Sequence, residues 1–270
     1  MNNDFESAYQ KGLLSKKLFL ESKTTKEFIS WLVPFIKGEK DLRQIDYKYC
    51  SFIEAINDYG YNKESFNETY KMFEDYRNAY STLTEEKLKD ECIKILKWGG
   101  VMPRNKKKIE LKAKMGQLKE FLSNIYKIIN SDEIIIDDLN TNFINSGFTK
   151  IYTAFYENFT MYDGRVGSAL CYLIKNYLIE KNDNKLPIEL IFGWGQGRSD
   201  NFKRNPNIGS ILFKFPEITQ NRTIHFVGNI KTNWLLKKIS EITELVEYKD
   251  EQEKIFALQT ALFVLGEKIP

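Results

Sequence analysis

Apolar residues recur at three- and four-residue steps along most of this chain, and that period constrains the fold more than any other feature. Between 163 and 180, Val166, Leu170 and Leu173 fall on one helical face. The same spacing, cut by caps and breakers, sets out a series of helices. Thr24-Thr25 precedes KEFISWLVPFI, where Pro34 should kink or end the helix. A short helix fits 46–58 and stops at Tyr59-Gly60. Asn62 can cap a helix running to about Tyr80, and Thr84 with Glu85-Glu86 starts another that Gly99-Gly100 ends after Trp98. Beyond Pro103 a basic helix should reach Asn130, and the run 133–137, EIIID, is too short to assign. Helices fit 140–158, 163–180, 228–247 and 250–265, the last with Asp250 and Glu253 in capping-box positions. The segment 193–210 carries four glycines, three asparagines and a proline, so it reads as a long loop, with Ile211–Phe215 as a short extended piece. The expected fold is mostly α with one long glycine-rich loop.

A chain of 270 residues has room for one large domain or two small ones. The division suggested is an N-terminal helical region, 1–100, and a region 101–270, unless the two are continuous. No apolar run approaches the roughly 20 residues that span a bilayer, and the polar, acidic start of the chain does not resemble a secretory signal. Cys50, Cys92 and Cys171 are odd in number and far apart, which suits free thiols in a reducing cytoplasm. The single histidine, His225, excludes zinc sites built on several histidines and would have to serve alone in any Ser-His-Asp mechanism. Neither a metal nor another cofactor is expected.

Net charge is only +3, but it is segregated. Lys94 to Lys119 contains nine Lys or Arg, including Arg104, Lys106 and Lys107, against Glu110 alone; 62–92 is rich in acids. A second basic stretch holds Arg198, Lys203, Arg204 and Lys214 against Asp200. Such segregation marks either a phosphate-binding face or a solvated helix surface.

Chemistry concentrates at Met161–Val166. Asp163 falls where a turn becomes a helix, so its carboxylate can be held as an anion by unpaired N–H groups and the helix dipole. A fixed carboxylate can stabilise a cationic sugar transition state or orient a water towards it. Gly164 and Gly167 would let a phosphate or sugar approach the backbone. Arg165 could bind that phosphate, or pair with Asp163 and silence it. The alternative is a helix cap and nothing more.

The sequence M-Y-D-G-R-V followed by a helix, preceded by N-S-G-F-T-K and IYTAFYEN, resembles the helix-hairpin-helix DNA glycosylase superfamily over about 145–180. The resemblance implies a multi-helix glycosylase-like architecture over 101–270. It makes Asp163 the catalytic aspartate and Gly147 a hairpin glycine presenting backbone N–H groups to DNA phosphate. Lys150 falls near the Schiff-base lysine of bifunctional members. The chain departs from the family pattern in having one hairpin glycine instead of two, Arg165 in place of a histidine, and no four-cysteine cluster. The spacing from Lys150 to Asp163 is also too short to carry over the lysine nucleophile, so a monofunctional enzyme is implied.

The resulting expectation is a cytoplasmic DNA N-glycosylase that removes a damaged or modified base from duplex DNA with the base flipped out, in repair or in defence against phage. Gly147, Lys150, Gly164, Arg165, Arg104, Lys106, Lys107, Arg198, Lys203 and Arg204 would hold DNA. Trp194, Tyr152 or Tyr156 would wall the base pocket. The alternatives are a non-catalytic nucleic-acid-binding protein and a helical scaffold for an acidic partner. Weaker constellations are set aside. Arg165, His225 and Tyr248 lack a recombinase pattern, Asp183 and Glu189 lack the lysine of a metal nuclease, and GWGQG is no P-loop. Trp31 and Trp234 read as core; Asn229, Lys231 and Asn233 read as a solvated helix face.

Overall fold

Polar caps written into the chain fix most of the helix starts. The computed structural model describes residues 4–138, 144–197 and 204–269. Among them, α1 (Asp4–Gln10) leads into β1 (Leu13–Ser15), α2 (Lys16–Glu21) and α3 (Lys23–Ile36). Then come α4 (Phe52–Asn57), α5 (Phe66–Ala79), α6 (Glu85–Trp98), α7 (Met102–Lys114), α8 (Leu118–Ile129) and β2 (Glu133–Ile135). The chain continues through α9 (Ser146–Phe155), α10 (Gly164–Glu180), α11 (Arg222–Ile242) and α12 (Glu251–Leu265). Ser22, Ser65, Thr84, Asn145, Asp163, Asn221 and Asp250 each accept a first-turn backbone N–H, meeting donors that a helix start leaves unpaired.

Several boundaries differ from the sequence-based expectation, each for a local reason. Pro34 lies in the last turn of α3, and the helix runs on to Ile36. Asn62 has φ +54°, so α5 starts instead at a capping box of Ser65 and Glu68. The basic stretch is two helices, α7 and α8, parted at Gly116, whose φ of +64° suits glycine. EIIID supplies β2, paired antiparallel with β1 so that Leu14 faces Ile134. Ile211–Phe215 forms no strand; instead Trp194 and Glu217 make an isolated parallel bridge. Helix α11 starts at Arg222 because Asn221 caps it.

Helix α12 packs on both α10 and α11, with α3 laid against α10 and α11, α4 against α12, and α5 and α6 against α9. The division expected near residue 100 is therefore crossed by packing: α4 rests on α12, and α5 and α6 on α9. Buried apolar residues from both regions form one cluster. One consequence shapes the site. The ends of α6 (Trp98-Gly99) and the Tyr59–Tyr61 turn come to lie beside the starts of α9 and α10. Among the described residues, no helix is long and apolar enough to cross a membrane.

Candidate active site

The segment entering α10 is extended, has no sheet partner, and is buried, so its backbone groups need partners from elsewhere. Side chains of α11 and α12 supply them. Asn233 Oδ1 accepts from Thr160 N at 2.9 Å, Asn229 Nδ2 donates to Thr160 O at 3.0 Å, and Gln259 Oε1 accepts from Met161 N at 2.5 Å. His225 Nε2 lies 2.8 Å from Tyr162 O; a carbonyl only accepts, so Nε2 carries the proton. His225, Asn229 and Asn233 are four residues apart and form a buried polar stripe down one face of α11. Burial pushes the His225 pKa down, against the opposing pull of the Tyr162 carbonyl and Asp163, and keeps the ring neutral. Beneath it the Tyr162 hydroxyl donates to Gly193 O at 2.6 Å and accepts from Gly193 N at 3.1 Å.

This scaffold fixes Asp163. Its Oδ1 accepts from Arg165 N at 2.8 Å and Val166 N at 3.2 Å, while Oδ2 lies 3.8 Å from Lys150 Nζ. The cap thus uses one carboxylate oxygen, and the other sits beside an amine. Lys150 is itself buried, donates to Ser146 O at 3.1 Å, and runs its stem across Gly99. A Cβ on residue 99 would stand 2.4 Å from Lys150 Cδ, so the end of α6 is cut back to let the lysine pass.

Lys150 and Asp163 open onto a cleft of about 600 Å³. Tyr59, Tyr61, Trp98 and Phe263 supply an aromatic wall; Ser146, Gln196, Gln259 and Thr260 supply polar edges. Trp98 is edge-on to Tyr61 at 5.1 Å and Tyr61 edge-on to Phe263 at 5.6 Å, an arrangement aromatic quadrupoles favour. Trp98 is held by its indole N–H on Glu64 at 2.9 Å. Among the described lining residues Asp163 is the one acid, against Lys150, Arg165 and Arg204. The starts of α9 and α10 also open here and add partial positive charge. The described lining thus sets three cations around one anchored carboxylate, with Glu267 paired to Arg165 at the rim.

Arg165 does not neutralise that carboxylate. Its guanidinium lies 4.3 Å over Phe263 and 3.3 Å from Glu267, turned towards α12. Arg204 also reaches the cleft, donating from Nε to Glu267 O at 3.2 Å.

Other expected site residues are placed differently. The Gly147 amide donates to Asn145 Oδ1 at 2.8 Å, and a Cβ there would collide with Asn105 Nδ2, so this glycine serves a buried cap and not a phosphate. Gly164 lines the cleft but meets Gly195, and Gly167 meets the Gly193 carbonyl; both admit the chain's own backbone. None of the three expected base-pocket residues lines the cleft. Trp194 is buried, with its indole N–H on Phe215 O at 3.0 Å. Tyr152 is core, against Phe148 and Phe159. Tyr156 stacks on Tyr126 at 4.1 Å and bonds the Tyr80 hydroxyl at 2.7 Å. Arg104 and Lys107 are exposed on α7, and Lys106 is 3.6 Å from Glu110; none lines the cleft. Arg198 and Lys203 lie outside the described residues.

Asn229, Lys231 and Asn233 are buried rather than on a solvated face. Lys231 donates to the carbonyls of Glu189 at 2.9 Å and Ile191 at 2.6 Å, and burial pushes its pKa down to about 7. Cys92 and Cys171 are buried free thiols, and Cys50 is half-buried and free. Among the described residues no cluster of His, Cys, Asp or Glu is arranged to hold a metal ion. Of this aromatic wall the sequence carries only the aromatic–glycine pairs at the ends of two segments, Tyr59-Gly60 and Trp98-Gly99. Comparisons with protein-family models, with curated proteins and with solved structures find no match for this chain.

Proposed function

We propose that the protein is a DNA N-glycosylase acting on a damaged or modified base. The observation that carries this reading is the anchored Asp163. One oxygen is held by two backbone N–H groups, and the other lies beside Lys150 in an aromatic-walled cleft. A flipped nucleotide would stack its base on the wall formed by Tyr61, Trp98 and Phe263. The C1′–N bond then breaks, and its electron pair leaves with the base, which takes up a proton. Asp163 stabilises the cationic sugar and orients the water whose oxygen adds to C1′, accepting the proton that water loses. The products are a free base and an abasic site. The test is a panel of duplexes carrying oxidised, alkylated, deaminated and hypermodified bases, assayed for alkali-labile strand breaks. Wild type should yield abasic sites on at least one, and Asp163→Asn should remove that activity while DNA binding and folding persist. Binding without excision on every duplex would leave a nucleic-acid-binding protein and no glycosylase.

The position of Lys150 Nζ favours a second, covalent version of the same reaction. Lys150 Nζ gives one proton to Asp163 and its lone pair attacks C1′ as the base departs with the electron pair of the C1′–N bond and takes up a proton; the sugar ring then opens to a protonated imine, a second proton passing from the nitrogen to the ring oxygen, which is retained as the 4′-hydroxyl. Borohydride would reduce that imine to a stable protein–DNA adduct, absent in Lys150→Gln. Excision with no trapped adduct returns the mechanism to water.

A further inference from the structure

Two arginines from segments about forty residues apart converge on one residue at the rim of the cleft. Arg165, in the first turn of α10, comes within 3.3 Å of the Glu267 carboxylate. Arg204 donates from Nε to the backbone carbonyl of the same Glu267. The convergence is built, not incidental. The space a Gly266 Cβ would need is filled by the Arg165 backbone carbonyl, so the end of α12 sits directly on the start of α10. The Arg165 guanidinium is laid over Phe263, with Tyr61 5.9 Å away, which fixes its plane before any ligand arrives. Both arginines line the cleft, whereas the Glu267 side chain is about half exposed.

We propose that Arg165 and Arg204 form a phosphate site for the nucleotide in the cleft, and that Glu267 occupies it in the free protein as a stand-in anion. The inference rests on the reading that a nucleotide enters this cleft, but not on what happens to its base. A planar guanidinium pairs a carboxylate and a phosphate with the same donors, so one can replace the other. Asp163, whose Oδ1 already accepts from two amides, is not displaced by the exchange. The half-exposed Glu267 pair is weak enough to yield to a phosphate that meets both arginines at once.

The test is Glu267→Gln, which keeps the shape and the backbone carbonyl that Arg204 uses while removing the competing charge. Affinity is measured by fluorescence anisotropy for a short duplex, and by competition for a deoxynucleoside 5′-monophosphate. The measurement is made near 0.15 M salt, where charges beyond about 8 Å are screened. Glu241→Gln, near the far end of α11 and roughly 28 Å along that helix from its start, is the charge-matched control. Glu267→Gln should tighten duplex binding roughly two- to fivefold, the strength of a half-exposed ion pair. It should also steepen the salt dependence by up to about one ion, while Glu241→Gln changes neither. Tightening for the duplex alone assigns the site to a phosphodiester of nucleic acid; tightening for the mononucleotide as well, or alone, assigns it to a free nucleotide phosphate. Unchanged or weakened binding of both ligands overturns the proposal. Tightened binding with no excision of any base leaves the phosphate site standing and removes the glycosylase reading instead.

Discussion

His225→Phe tests whether the buried stripe of α11 holds Asp163 in working position. His225 is 4 % exposed and its one strong bond is Nε2–H to the carbonyl of Tyr162, the residue immediately before Asp163. Phenylalanine fills the same space without a donor and leaves that carbonyl only the Thr149 hydroxyl at 3.5 Å. An unmet buried acceptor costs about 1–3 kcal/mol. For a chain of this length, with an unfolding entropy of roughly 0.6 kcal/mol/K, that lowers Tm by about 2–5 °C. The effect on chemistry should be larger than the effect on folding. The peptide between 162 and 163 sets where the carboxylate points, and a displacement near 1 Å costs on the order of a hundredfold in rate. Single-turnover excision should therefore slow about a hundredfold while duplex affinity stays within about twofold, since the stripe does not touch the cleft surface. His225→Gln, which restores an N–H donor, should recover most of the rate. If the phenylalanine variant turns over within threefold of wild type, or if both variants lose rate equally, Asp163 is positioned by its own cap and the stripe is only structural.

Lys231 gives a prediction in pH. Its folded pKa is about 7 against an ordinary 10.5, because burial disfavours the charged form. The unfolded chain therefore binds more protons between those values, and stability rises with pH across that window. The full span amounts to roughly 5 kcal/mol, seen as the change with pH in the stability difference between wild type and Lys231→Met by urea unfolding; a constant difference from pH 7 to 10 refutes it. His225 has the same sign at lower pH: its depressed pKa means that acidification below the ordinary histidine range destabilises wild type more than His225→Phe, measurable as converging melting temperatures. Gly167→Ala would set a Cβ 2.0 Å from the Gly193 carbonyl, forcing α10 off the 193–195 segment. A loss of about 2–3 kcal/mol by chemical unfolding is expected, and a neutral result would mean that contact is loose.

What was legible in the chain was what depends on near neighbours. Asp163 as a helix cap, Thr84 and Asp250 as helix starts and the mostly helical content all follow from residues within one turn of each other. The partner of Asp163 was not legible. Arg165 is two residues away and was the natural suspect, yet the first turn of α10 carries its side chain round to Phe263 and Glu267, while Lys150 arrives from α9. Which cation meets the carboxylate is decided by how two helices pack, and local spacing does not contain that. The polar residues of α11 were misread for a related reason. Asn and Lys on a helix are ordinarily solvated; here the sheetless backbone of 159–163 gives Asn229 and Asn233 reason to be buried, and the carbonyls of 188–191 give it to Lys231. The aromatic wall of the cleft comes from Tyr61, Trp98 and Phe263 and not from the glycine-rich loop, where Trp194 gives its indole N–H to Phe215.

These placements set the turn at 161–167 apart from an ordinary cap. A capping aspartate needs one oxygen, and solvent ordinarily takes the other. Here the second oxygen instead lies at the cleft wall beside a lysine that is itself buried and whose stem fills the space a side chain at Gly99 would need. Burying a lysine and a carboxylate side by side contributes little to stability once desolvation is counted, and apolar residues of equal size would serve a cap as well. The nearby Arg165 is withheld from the pair by Phe263 and Glu267, which leaves the carboxylate facing the cleft. Glu267→Gln and His225→Phe perturb different parts of that arrangement. The first should alter ligand affinity and leave the excision step alone; the second should alter excision and leave affinity alone. If both variants move the same quantity, rim and carboxylate are not separate parts of one site, and the division of labour between phosphate and sugar chemistry fails.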